Sequence, residues 1–100
     1  MKNKFKIKQI LHSGRKGVRN TEVDAIKFYG MKDAIIFADL NDVNEFQSFR
    51  WDFEHSLHHP WYNWETSPVI AMAQNEETGD YLIETINTIY VLEPIESEQQ

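Results

Sequence analysis

The chain has 100 residues, of which 41% are hydrophobic and 26% are charged, with a formal net charge of −6 and no cysteine. These values predict one globular domain with a single core, and they exclude a disordered chain, disulfide bonds and thiolate chemistry. No apolar run reaches the roughly 20 residues that a membrane-spanning helix needs. The lack of cysteine favours a cytoplasmic location.

Charge is distributed unevenly along the chain. Residues 1–32 carry nine of the ten lysines and arginines against only Glu22 and Asp24, which gives this segment a charge of +7. The other 68 residues carry Arg50 against fourteen acidic side chains, which gives −13. The asymmetry predicts recognition of a polyanion by the basic segment or of a basic surface by the acidic one, but it also fits a fold in which the two segments pair.

The first predicted element is a strand that ends near His12. Lysine occupies every second position, which places Lys2, Lys4, Lys6 and Lys8 on one face of that strand. A loop is expected over residues 13–21, where two glycines occur among polar residues without an apolar rhythm.

A hairpin should follow the loop. Apolar residues favour strands over residues 23–29 and 34–40, and the short stretch 30–33 between them predicts a tight turn.

An amphipathic helix is predicted next. Asn41 or Asp42 can cap it, because a short oxygen-bearing side chain accepts a free amide hydrogen of the first turn. The apolar residues that follow recur at spacings of three and four, and the helix should end before Pro60. These residues are Val43, Phe46, Phe49, Phe53 and Leu57.

The rest of the chain predicts short strands separated by turns. In order, we expect an ordered aromatic loop over residues 59–68, a strand over 69–74, a turn at Thr78-Gly79-Asp80, a strand over 81–84, a break at 85–87, a strand over 88–92 and a frayed acidic tail over 93–100. The predicted class is therefore α+β, mainly an antiparallel β-sheet or small barrel of about five strands, with one amphipathic helix between the third and fourth strands. In layout alone, the break before the last strand resembles small five-stranded barrels of the Src-homology or Sm type.

A cluster of aromatic and histidine side chains is the first candidate site. On the predicted helix, Trp51 lies about 140° from the core stripe, so it needs a second partner. That partner is either the following loop, which would make the cluster part of the core, or another molecule, since tryptophan and tyrosine often anchor interfaces. The candidate partner-binding residues are Trp51, His55, His58, Trp61, Tyr62 and Trp64.

The basic segment is the alternative site. Gly14-Arg15-Lys16-Gly17 could let backbone amides converge on a phosphate, with cations nearby, and would then bind a nucleic acid or nucleotide. The opposing interpretation is a solvated loop, together with lysines that protect a strand edge or pair with neighbouring acids. The candidate phosphate-binding residues are Lys4, Lys6, Lys8, Arg15, Lys16 and Arg19.

No catalytic motif, cofactor motif or convincing metal site is present. Asp52, His55 and His59 have helical spacing, but solvated surface histidines near a helix end explain them better. The sequence therefore predicts a non-enzymatic, protein-binding regulator or inhibitor that acts through an aromatic and acidic surface. The partner would be a protein with a basic surface or a second copy of the chain, and small size and acidity are compatible with a phage or mobile-element origin.

Overall fold

The chain folds as a closed antiparallel β-barrel. The structure, a computed structural model, describes residues 2–12, 31–54 and 63–95. Each strand pairs with the next along the chain, and the last pairs with the first, so the sheet closes on itself. The strands are β1 (Asn3–His12), β2 (Ile35–Ala38), β3 (Ser48–Phe53), β4 (Asn63–Gln74), β5 (Tyr81–Thr85) and β6 (Thr88–Pro94).

The predicted α+β class with an amphipathic helix is wrong. The described residues contain six strands and no α-helix, and the centre of the predicted helix is β3. In β3, the buried residues Phe49, Trp51 and Phe53 alternate with polar residues whose side chains are exposed or half-buried. Phe49 and Phe53 are four positions apart and so fit a helical stripe as well as a strand, but only the period of two also buries Trp51.

A single 3-10 turn occupies the place of the predicted helix start. It spans Leu40–Asp42, and its cap is Asp39 rather than Asn41 or Asp42. The Asp39 carboxylate accepts a hydrogen bond from the backbone N–H of Asn41 at 3.0 Å. Val43 then has extended backbone angles, so the chain leaves the turn toward β3 instead of continuing as a helix.

The predicted N-terminal strand is confirmed, and it contains a β-bulge. Ile7 pairs with Leu92, whereas Gln9 pairs with Val91, so the register shifts by one residue at Lys8. Lys8 and Gln9 are consequently both exposed, and burial resumes at the following residue.

The strands after residue 60 follow the prediction with two corrections. The predicted frayed tail is wrong at its start, because residues 93–94 are the end of β6, where Glu93 pairs with Lys6, and the N–H of Ile95 donates to the Lys4 carbonyl at 3.0 Å. Residues 63–68, expected in an aromatic loop, are the first half of β4 and pair with β3, with Trp64 opposite Trp51. The turn before β5 is confirmed, since Gly79 has a φ of 82°. The break before β6 is also confirmed, as a bend at residues 86–87.

The barrel interior holds one core to which every strand contributes. Trp51 and Phe49 are its largest fully buried side chains. In β6 both faces are shielded, because Ile89 and Val91 on the outer face are each only 7% exposed. The other core residues include Phe5, Ile7, Ile10, Met31, Ile36, Ala38, Phe53, Val69, Ile83, Tyr90 and Leu92.

Several predicted elements lie outside the described residues. They are the loop over residues 13–21, the strand over 23–29, the start of the aromatic loop at 59–62 and the end of the tail at 96–100. Of the predicted hairpin, the second strand is confirmed as β2, preceded by a turn at residues 31–33. No helix in the described ranges is long and apolar enough to cross a membrane.

Candidate functional site

The structure separates the residues of the predicted aromatic site. Trp51, expected on the side away from the core, is only 1% exposed inside the barrel and offers no surface to a partner. Trp64 is half-buried, with its ring packed against the core. The other members, His55, His58, Trp61 and Tyr62, lie outside the described residues.

Trp64 and Tyr90 form a polar contact at the border of the core. The indole N–H of Trp64 donates to the Tyr90 hydroxyl at 3.2 Å. Burial raises the pKa of Tyr90 above its ordinary value of 10.0, and hydrogen bonds with Trp64 and Thr88 oppose only part of this rise. The indole N–H of Trp51, by contrast, is buried and has no hydrogen-bond partner among the described residues. Trp51 and Tyr90 therefore belong to the core of the barrel, and Trp64 packs against it.

The lysines of β1 pair with acids from the rest of the chain. Lys4 contacts Glu54 at 3.2 Å and Lys8 contacts Asp80 at 3.0 Å, and a longer contact of 3.8 Å joins Lys6 to Asp33. Lys2 pairs with Asp52. Pairing between the basic and acidic segments, one of the three explanations of the charge asymmetry, thus occurs in the fold.

This pairing weakens the phosphate-binding alternative. Lys4, Lys6 and Lys8 already have carboxylate partners, which a phosphate would have to replace. The hypothesis then depends on Arg15, Lys16 and Arg19, which lie outside the described residues.

In the part of the chain that the structure describes, the second half of β4 has an open edge. β3 pairs with β4 from Asp52↔Asn63 to Ser48↔Pro68, and the preceding turn makes two backbone hydrogen bonds with Val69. Beyond that point, within the described part of the chain, β4 pairs with β5 alone. We call residues Ile70–Gln74 the β4 edge. Its sequence, IAMAQ, contains no charge and no proline, the features that commonly protect an edge strand from pairing with other chains.

Phe46 lies beside the β4 edge in an unusual conformation. Its φ is 68°, in the left-handed region that bulky residues rarely adopt, and its side chain is 73% exposed. Its backbone N–H donates to the Val69 carbonyl at 2.7 Å, which fixes the turn against β4. A strained backbone that presents an aromatic ring to solvent is typical of a functional position.

A shallow groove separates this turn from β4. Its volume is about 250 Å³, and most of its lining is apolar. Met72, which is 43% exposed, contributes a flexible side chain that can adapt to a partner. We call the groove, Phe46 and the β4 edge together the docking surface. The groove is lined by Val43, Glu45, Val69, Ile70, Ala71 and Met72.

The charged side chains within the docking surface and the adjoining turn, residues 43–47 and 69–79, are all negative. Residues 43–47 and 69–79, which form it and the adjoining turn, contain no lysine or arginine. Glu45 lines the groove, Glu76 and Glu77 are exposed in the turn after β4, and Glu84 lies opposite Ala71 in the sheet. A cationic partner would therefore be attracted to it.

Comparison of the chain with protein families, with curated proteins and with solved structures finds no match. In the described ranges, no group of three or more His, Asp or Glu side chains could hold a metal ion. The docking surface is therefore the feature on which a functional proposal can be based.

Sequence reasoning missed this surface. The helical spacing places Phe46 on the inner stripe of a helix, and the pattern predicts Met72 in a short strand that a turn joins to a returning strand. The open edge exists because β4 continues past the start of β3, and this depends on the register of two strands. A local signal was nevertheless present, since Phe46 is a lone aromatic residue among Asn44, Glu45 and Gln47.

Proposed function

We propose that this protein is a non-enzymatic protein-binding module, a regulator or inhibitor that captures its partner on the docking surface. It would act in the cytoplasm, the compartment favoured by a chain without cysteine. The observation that carries the proposal is the open, uncharged β4 edge beside the exposed ring of Phe46.

Two physical arguments support this function. An exposed apolar edge strand promotes aggregation, so its persistence without lysine or proline is best explained by a partner that covers it. An aromatic ring and a methionine beside a groove are, moreover, side chains that commonly supply binding energy at interfaces.

The proposal retains the acidic character predicted for the interface but changes its aromatic residues. Phe46 replaces Trp51, whose burial removes it from any surface. His55, His58, Trp61 and Tyr62 remain a prediction that the described residues do not address.

Comparative capture from the native host tests the function. The intact chain, the Met72→Lys variant and the Gln9→Lys variant are immobilised, and bound proteins are identified by mass spectrometry. Gln9 is a matched control because it is also exposed and lies on β1, across the barrel from β4. A captured protein should then be purified and its affinity measured for all three.

We expect a protein that binds the intact chain and Gln9→Lys equally and binds Met72→Lys at least about tenfold more weakly, the loss that about 1.4 kcal/mol of binding energy produces. A partner that binds all three equally would show that the docking surface is not the interface.

A further inference from the structure

We infer that the docking surface receives an extended segment of a partner protein, flanked by lysine or arginine, which adds as a further strand to the β4 edge. This inference rests on the proposed function and specifies the partner and its mode of binding. The partner must meet two independent requirements. Its segment must have an exposed backbone that can join a sheet, and it must carry a positive charge at each end.

The backbone of β4 supports strand addition. The edge has one hydrogen-bonding side occupied by β5, while β3 and the preceding turn end their pairing at Val69. The register with β5 shifts at Ile70, and beyond this irregularity Ala71–Gln74 pair regularly with β5. Main-chain groups in a strand alternate in direction, so this stretch, which has one neighbour among the described residues, presents part of them to a second strand. An added strand would continue the line of β3 along β4.

The groove supplies a place for side chains of the added strand. Alternate residues of a strand point to the same side, so every second residue of the segment would face Val43 and Met72. The segment should therefore carry apolar residues at alternate positions. Phe46 lies at the end where the new strand approaches the turn, and its exposed ring can cover an apolar side chain there.

Charge selects a basic segment and opposes a second copy of this chain. Glu45 lies at one end of the β4 edge, and Glu76 and Glu77 lie beyond the other. Two copies paired edge to edge in antiparallel fashion would bring Glu76 of one copy toward Glu45 of the other, and both copies carry a net charge of −6. Lysines or arginines at both ends of a segment would instead meet these carboxylates.

Synthetic peptides test both requirements on the intact protein. The first peptide alternates valine and threonine over the length of the β4 edge and has lysines at both ends. The second has glutamates in place of the lysines. The third keeps the lysines but carries N-methyl groups on alternate backbone amides, which prevents it from donating hydrogen bonds to a sheet along one side.

Fluorescence anisotropy gives the affinity of each labelled peptide, and hydrogen exchange reports the backbone of β4. We expect the lysine peptide to bind at least about tenfold more tightly than the glutamate peptide, with the difference reduced by added salt. The N-methylated peptide should lose binding, Met72→Lys should weaken it and Gln9→Lys should leave it unchanged. Binding should slow exchange of backbone amides within Ile70–Gln74.

The outcomes separate this inference from the proposed function. Equal binding of the lysine and N-methylated peptides, sensitive to Met72→Lys, would overturn strand addition but leave a docking surface. Equal binding of the lysine and glutamate peptides would overturn the basic partner. Self-association in sedimentation experiments, abolished by Met72→Lys, would replace the basic segment with a second copy. Failure of every peptide to bind would overturn the inference, while capture of a Met72-dependent partner would still support the proposed function.

Discussion

The ring of Trp51 packs edge-on against the ring of Tyr90, with centroids 5.1 Å apart and planes at 82°. Similar edge contacts join Trp51 to Phe49 and Phe53, which places its indole at the centre of the core. Trp51→Ala and Phe49→Ala should therefore each lower the free energy of unfolding by about 3–5 kcal/mol. Chemical denaturation measures both. Met72→Ala, on the surface, is the control and should change stability by no more than about 0.5 kcal/mol. A loss for Trp51→Ala as small as that of the control would contradict the core placement.

We expect the side chain of Phe46 to contribute to peptide binding and to add little or nothing to the free energy of unfolding. Its left-handed backbone costs roughly 1–2 kcal/mol for a residue with a side chain, and its exposed ring gains little from burial. Phe46→Gly should thus leave the stability unchanged or raise it by up to about 1 kcal/mol, while it weakens binding of the lysine peptide. Thermal unfolding and anisotropy on the same preparation measure the two effects. A destabilised variant with normal binding would show that Phe46 serves the fold.

Lys8 should matter more to stability than Lys6. The Lys8 ammonium contacts Asp80, whose side chain is only 8% exposed, whereas Lys6 contacts the exposed Asp33 at a longer distance. Removal of Lys8 leaves a largely buried carboxylate without its cation, and such a group is costly. Lys8→Met should therefore lower the midpoint of thermal unfolding more than Lys6→Met does. Equal midpoints would show that water replaces the cation at Asp80.

Stability should fall at alkaline pH because of Tyr90. Its folded-state pKa is raised by burial, so the folded protein favours the neutral phenol. This contribution is complete below pH 10.0, the ordinary pKa, and is lost as the pH rises from there through the folded-state pKa. The absorbance of the phenolate, followed together with denaturant unfolding, measures it.

Tyr90→Phe is the control for this pH dependence. It should flatten the decline but not abolish it, because the hydrogen bond to Asp80 also raises the pKa of Lys8 above 10.5. The stability from that pair is likewise present below the ordinary pKa of Lys8 and lost as the pH rises through its folded-state value. An unchanged alkaline decline in Tyr90→Phe would exclude Tyr90 as its source.

Local sequence patterns predict a strand correctly where it has one apolar face and a recognisable turn residue next to it. The lysine alternation of β1 and the glycine before β5 are such signals, and both were interpreted correctly. The error over residues 43–57 came from Phe49 and Phe53, whose spacing fits a strand and a helix equally. Trp51 could have decided the matter, because it was a misfit on the helix and is an ordinary inward residue of a strand.

The candidate site could not be predicted in the same way. The β4 edge is open because of where β3 stops pairing, and no property of Ile70–Gln74 alone reveals its neighbours. The ion pairs were foreseen only as one alternative, since Lys4 and Glu54 are brought together by the pairing of both β1 and β3 with β2. The left-handed backbone of Phe46 likewise depends on its hydrogen bond to Val69 and has no counterpart in the sequence pattern.

Closure of the barrel by β1 and β6 imposes an order on its assembly. The ribosome releases β1 before the other five strands, yet one of its two neighbours is the last of them. One side of β1 therefore stays unpaired until β6 has been synthesised. At this stage, polysomes bring many identical chains close together. Repulsion between the positive charges of neighbouring chains opposes association of such strands. The charges are those of Lys2, Lys4, Lys6 and Lys8. In the finished barrel, the same four lysines form ion pairs at its surface.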